Sequence, residues 1–166
     1  MSNHGYVTSG RIFKSDEVNS AINEINQRRF GNKLTIEHDK HGWFVGCKIF
    51  NKGYDIKKKS KVKYEMGFDL WIETKRKLEF QHNIDDFVWY VESVFINELA
   101  HKYNGMISDD GVDEKWKPDL TKYKSYRQYL ACRSASYGKI NKPAYFAAKM
   151  VERISYSMVP KEMRKY

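Results

Sequence analysis

The stretch "VKYEMGFDLWIETKRKLEF", Val62 to Phe80, decides the fold. Val62, Tyr64, Met66, Phe68, Leu70 and Ile72 alternate with Lys63, Glu65, Gly67, Asp69, Trp71 and Glu73, the two-residue period of a strand with one buried face. The alternation runs on to Phe80, too long for one ordinary strand, so a turn is expected near "TKRK" with a short strand at "LEF" beyond it.

Working towards the N-terminus, "KLTIEH" and "GWFVGCKIF" (Gly42 to Phe50) are rich in β-branched and aromatic residues and flank "HDKHG", which has hairpin character. A lysine-rich link, "NKGYDIKKKSK", joins this pair to the long strand. Further upstream, "GYVTSGRIF" (Gly5 to Phe13) reads as a first strand. Ser15 then reads as a helix N-cap, with Asp16 and Glu17 in the first turn. Val18, Ala21, Ile22 and Ile25 share one helical face, and Gly31 supplies a left-handed stop.

Working towards the C-terminus, Asn83 or Asp85 caps a long helix whose apolar positions Ile84, Phe87, Val88, Val91, Val94, Phe95, Leu99 and Tyr103 keep the helical period; Asn104-Gly105 ends it. "MIS" reads as a short returning strand before the turn "DDG". Two more helices are expected at about Tyr123 to Ser134 and Pro143 to Met158, the second with Ala147, Met150, Val151, Ile154 and Met158 on one face. The fold expected is α+β: an antiparallel sheet of about four to five strands with two helices on one face, followed by two C-terminal helices.

At 166 residues, with 41% hydrophobic and 15% aromatic content, the chain suits one compact domain and is too apolar for disorder. No apolar run approaches the roughly 20 residues of a membrane span, and "MSNHGYVTSGRIFK" lacks the apolar centre of a signal peptide. Cys47 and Cys132 are far apart and in no metal spacing, which suggests reduced thiols and a cytoplasmic setting.

The net charge of +9 is unevenly placed. From Leu120 onward eleven Lys or Arg face two acids, Glu152 and Glu162, while the first 119 residues hold nineteen basic and nineteen acidic side chains. The chain thus divides into a neutral α+β body, 1–119, and a basic helical region, 120–166, expected to dock on it. That region also holds seven of the twelve tyrosines.

Short motifs suggest little catalysis. Asp69, Glu73 and Lys75 resemble the residue types of a metal-dependent nuclease, yet on a straight strand Asp69 and Glu73 stand about 13 Å apart, too far for one ion. Glu37 or Asp55 would have to complete such a site. In "SDDGVDE" the two aspartates are adjacent, which fails the alternate-ligand spacing of a calcium loop. Five histidines offer one close pair, His38 and His41, and no nucleophile elbow, phosphate loop or dinucleotide fingerprint is present. No catalytic residue, metal or cofactor is assigned.

The leading expectation is a non-enzymatic nucleic-acid or polyanion-binding protein. Lys122, Lys124, Arg127, Arg133, Lys139, Lys142, Lys149 and Arg153 would meet phosphates, Tyr126 would stack on a base, and Lys57, Lys58, Lys59, Lys61 and Lys63 could extend the surface. The alternative is a protein-interaction or assembly module, or an inhibitor of a small viral or mobile-element type. It would dock an acidic protein partner with Trp43, Trp71, Trp89 and Trp116 as anchors. A metal-dependent nuclease is the third reading. Edge strands could also pair copies into a homo-oligomer.

Overall fold

The computed structural model describes residues 4–51, 62–81, 85–110, 112–121 and 124–166. Lys57, Lys58, Lys59, Lys61, Lys122, Tyr123, Asp55 and Asn83 lie outside them. In chain order the elements are β1 (His4–Thr8), α1 (Ser15–Phe30), β2 (Thr35–His38), β3 (Trp43–Asn51), β4 (Val62–Thr74), β5 (Lys77–Gln81), α2 (Asp86–Lys102), β6 (Met106–Asp109), α3 (Tyr126–Gly138) and α4 (Lys142–Met158), closed by a 3-10 turn at Lys161–Met163.

The α+β class holds, with six strands rather than four or five. They run in the order β2-β3-β4-β5-β1-β6, and every neighbouring pair is antiparallel. The two edges are short strands read from the sequence: "TIEH" forms β2, and "MISD" returns beside β1 as β6. The long alternation breaks where expected, with β4 and β5 joined by a tight turn and a register shift between Ile72 and Thr74.

Period-two alternation puts Val45, Cys47, Ile49, Phe68, Leu70, Leu78, Phe80, Val7 and Ile107 on one face, each almost fully buried. Their cover is Val18, Ala21, Ile22 and Ile25 of α1 and Phe87, Val88, Val91, Phe95 and Leu99 of α2. Each Val, Leu, Ile or Phe among them contributes about 1.5–3 kcal/mol through its burial. Glu98 of α2 then ties the two helices together, accepting from Arg28 at 2.6 Å and Arg29 at 2.9 Å.

Helix boundaries follow their local chemistry, with one correction. The N-cap of α1 is Lys14, not Ser15, and it makes no side-chain capping bond; Lys14 pairs instead with Glu17 at 3.2 Å. Ser15 Oγ lies 3.4 Å from His38 Nε2. Asp85 caps α2, accepting from the N–H groups of Phe87 and Val88 at 2.9 and 3.1 Å. Gly31 takes the left-handed φ of +56° that ends α1, and Asn104 the φ of +50° that follows α2.

The opposite sheet face carries Tyr6, Glu37, Phe44, Glu65, Asp69, Trp71, Glu73 and Glu79, and among the described residues no helix covers it. Its rings lie down rather than protrude. Gly46 and Gly67 are register partners on β3 and β4, and Phe44 lies over both, so a Cβ at Gly67 would stand 2.5 Å from the Phe44 ring. Trp71 meets His4 edge-on and donates to Glu73 Oε2 at 3.2 Å, while Lys77 Nζ sits 3.9 Å from the Tyr6 ring centroid.

Candidate functional site: the C-terminal helical hairpin

The basic region is docked on the body through aromatic side chains. Tyr126, Tyr129, Leu130, Val159 and Met163 join the same core cluster as the sheet and α2. Tyr126 meets Phe87 edge-on at 4.9 Å between centroids and stacks with Tyr156 of α4 at 6.3 Å. At the end of the chain, the Tyr166 carbonyl accepts from Tyr126 N at 3.1 Å and from Tyr90 Oη.

Polar bonds fix the hairpin as firmly. Asp86, in the first turn of α2, accepts from Arg133 of α3 and, at 2.6 Å, from Ser155 of α4. Glu152 of α4 accepts from Ser134 of α3 at 2.7 Å and from Lys149 at 2.8 Å. Burial works against the Glu152 charge, but those two bonds and the charge of Arg127 outweigh it and hold its carboxyl below the ordinary value.

These contacts settle which way α4 faces. Asn141 caps it by accepting from Ala144 N at 2.8 Å, and Pro143 occupies the first turn, where its missing N–H costs nothing. The sector turned to the body holds Tyr145, Ala148, Glu152, Ser155 and Tyr156. Phe146, Met150 and Ile154, at four-residue spacing, point outward and are 65%, 66% and 54% exposed, with Val151 beside them at 44%. No residue between Lys142 and Met158 is fully buried. An amphipathic helix ordinarily buries its apolar stripe. This one leaves its apolar stripe exposed and turns a mixed polar and aromatic face, half-buried, to the body.

Between α3 and α4 lies a shallow notch of about 310 Å³, lined by Leu130 and by Ala144, Ala147, Ala148 and Val151, with Arg133, Ser134 and Glu152 as its polar side. The alanines open it, because Ala144, Ala147 and Ala148 each carry only a methyl there. Lys142 and Arg153 are exposed along one edge of the apolar stripe.

The nine residues expected at a phosphate-binding surface separate into distinct environments. Tyr126 is fully buried, so its ring cannot stack on a base; sequence shows it among cations, whereas its neighbours in space are Phe87, Tyr90 and Tyr156. Arg133 is engaged by Asp86 and Lys149 by Glu152. Lys124, Arg127, Lys139, Lys142 and Arg153 are exposed. Lys122 lies outside the described residues.

Of the four tryptophans, Trp43 is buried, its indole N–H bonded to Asn19 at 3.0 Å, and it cannot anchor a partner. Trp71 is half-buried on the open sheet face, and Trp89 and Trp116 are 45% and 39% exposed. An open cleft of about 620 Å³ on that face is lined by Glu37, Asp39, His41, Asp69 and Trp71. Burial and then the nearby Asp39 charge raise the Asp69 carboxyl above its ordinary value. Among the described residues no three His, Cys, Asp or Glu side chains are grouped to hold a metal ion, and no helix is long and apolar enough to cross a membrane.

No known relative speaks for the site. The chain matches no protein-family model, no curated protein and no solved structure. The sequence places Met150, Val151 and Ile154 on one apolar face of α4; what it does not show is that Phe146 joins them and that the face points outward, a direction that depends on Asp86 and Ser134, which lie elsewhere in the chain.

Proposed function

We propose that the protein is a non-catalytic interaction module that docks an acidic protein surface on the outward face of its C-terminal hairpin. The outward stripe of Phe146, Met150 and Ile154 carries this reading. Exposed apolar side chains scattered singly are ordinary, whereas a contiguous exposed group of them marks an interaction site. The exposed cations Lys142 and Arg153 beside it give the contact its charge preference.

The test is a photo-crosslinking residue placed at position 150 of the full chain in the cells that make it. A crosslinked protein that disappears when Ile154→Glu is added supports the reading. Crosslinks to nucleic acid, or no crosslink at all, overturn it.

A second reading, nucleic-acid or polyanion binding, is favoured by Lys124, Arg127, Lys139, Lys142 and Arg153, which remain exposed after the internal pairs are counted. It requires affinity for labelled DNA or RNA that falls steeply with salt, with a log–log slope near one unit per phosphate contacted. In that case, Lys142→Glu and Arg153→Glu would weaken binding and Met150→Glu would not.

A further inference from the structure

Resting on the docking reading above, we infer that the occupant of the hairpin is an amphipathic acidic α-helix, laid along α4 with one apolar side chain seated in the notch between α3 and α4. Three features of the surface specify it. Phe146, Met150 and Ile154 form a straight ridge of the four-residue kind that packs against the grooves of another helix. Beside that ridge is a depression of about 310 Å³ over Leu130, room for one large aliphatic or aromatic side chain. A ridge beside a hole is how a helix is received in a groove, with anchors every three to four residues.

Charge selects the chemistry of that helix. The apolar ridge of α4 is edged by Lys142 and Arg153 and by no carboxylate; Glu152 lines the notch, where its charge is engaged by Ser134 and Lys149. A second copy of the chain would therefore bring like charges together along the stripe, in a protein whose net charge is already +9. A carboxylate-rich helix complements the rim. An anionic bilayer would satisfy the rim too, but a lipid surface supplies no single knob to fill a hole beside the ridge.

The experiment uses the full-length protein and three fluorescent synthetic peptides of about 18 residues, five turns of helix. The first carries Leu at helical spacing with Glu elsewhere, the second has the same composition scrambled, and the third has proline at its centre. Expected is saturable binding of the first, weakened about tenfold or more by scrambling, by proline, and by Met150→Glu or Ile154→Glu in the protein. Both variants lie on an exposed face, and unchanged circular dichroism verifies that they fold.

Equal binding of all three peptides, still lost in Met150→Glu, overturns the helical partner while leaving the docking surface standing. Binding of no peptide, with sedimentation showing a dimer that Met150→Glu dissolves, makes the occupant a second copy. Binding of phosphatidylserine vesicles that Met150→Glu abolishes, with no peptide bound, makes it a membrane. If Met150→Glu and Ile154→Glu alter none of these, both the helical partner and the docking reading fall.

Discussion

Asp86 and Arg133 are joined across three elements of the fold: the carboxylate in the first turn of α2 accepts from the guanidinium of α3, and its other oxygen accepts from Ser155 of α4. One side chain thus bonds both helices of the hairpin to the body, beside the aromatic contacts of Tyr126. It also explains the inverted orientation of α4, because the helix must turn Ser155 inward to reach Asp86.

Asp86→Ala should destabilise the protein by about 1–3 kcal/mol, since it leaves a partly buried guanidinium and a hydroxyl without their acceptor. Urea denaturation measures it. Asp86→Asn keeps an acceptor oxygen and should recover part of the loss. A change below about 0.5 kcal/mol for Asp86→Ala would mean that the aromatic contacts alone hold the hairpin.

Tyr126→Phe should be neutral or stabilising by up to about 2 kcal/mol. The ring is fully buried, and among the described residues its hydroxyl has no hydrogen-bond partner, so removing the oxygen removes a desolvation cost. Burial, followed by the charges of Asp86 and Asp85, raises its phenol well above the ordinary value, which is the same penalty expressed as a titration. A lower midpoint in thermal unfolding would show that the hydroxyl is satisfied after all.

Much of this architecture was legible because its signals are local. The alternation from Val62 to Phe80 fixed β4, β5 and the turn between them; the spacing from Phe87 to Leu99 fixed α2, and Asp85 caps it as its chemistry requires. Non-local facts were hidden. Tyr126 sits among cations in the sequence and among rings in space, and nothing near Trp43 announces its bond to Asn19. Period 3.6 reveals that α4 has two faces but not which faces water, since that choice is made by Asp86, Ser134 and Glu152 together.

Met150→Glu and Ile154→Glu should leave stability within about 0.5 kcal/mol of the parent, the ordinary range for exposed positions. Leu130→Ala, by contrast, removes a side chain that is 2% exposed and should cost about 2–5 kcal/mol. Unfolding midpoints of the three variants decide this. A large loss in either glutamate variant would place the stripe inside the fold.

Gly67→Ala should destabilise by about 1–3 kcal/mol through overpacking. A Cβ there would stand 2.3 Å from the Val45 carbonyl oxygen as well as 2.5 Å from the Phe44 ring. Removing the ring in Phe44→Ala therefore cannot rescue the substitution, because the backbone oxygen remains. Full recovery in the double variant would show instead that only the ring objects.

Asp85→Asn gives a pH-dependent signature. Burial, the dominant influence, raises the Asp85 carboxyl above its ordinary value despite the hydrogen bonds from Val88 and Phe87. The folded protein therefore holds this proton more tightly than the unfolded chain, and the contribution of Asp85 to stability falls as pH rises from the ordinary carboxylate range through the raised value. Asparagine is an equally good cap and has no such proton to lose. The stability of Asp85→Asn relative to the parent should increase with pH across that window and level off above it, as measured by urea unfolding from pH 3 to pH 7, values of about the range in which carboxyls titrate. A difference that shrinks as pH rises would mean that the charged cap, with the dipole of α2 behind it, outweighs the cost of burying it.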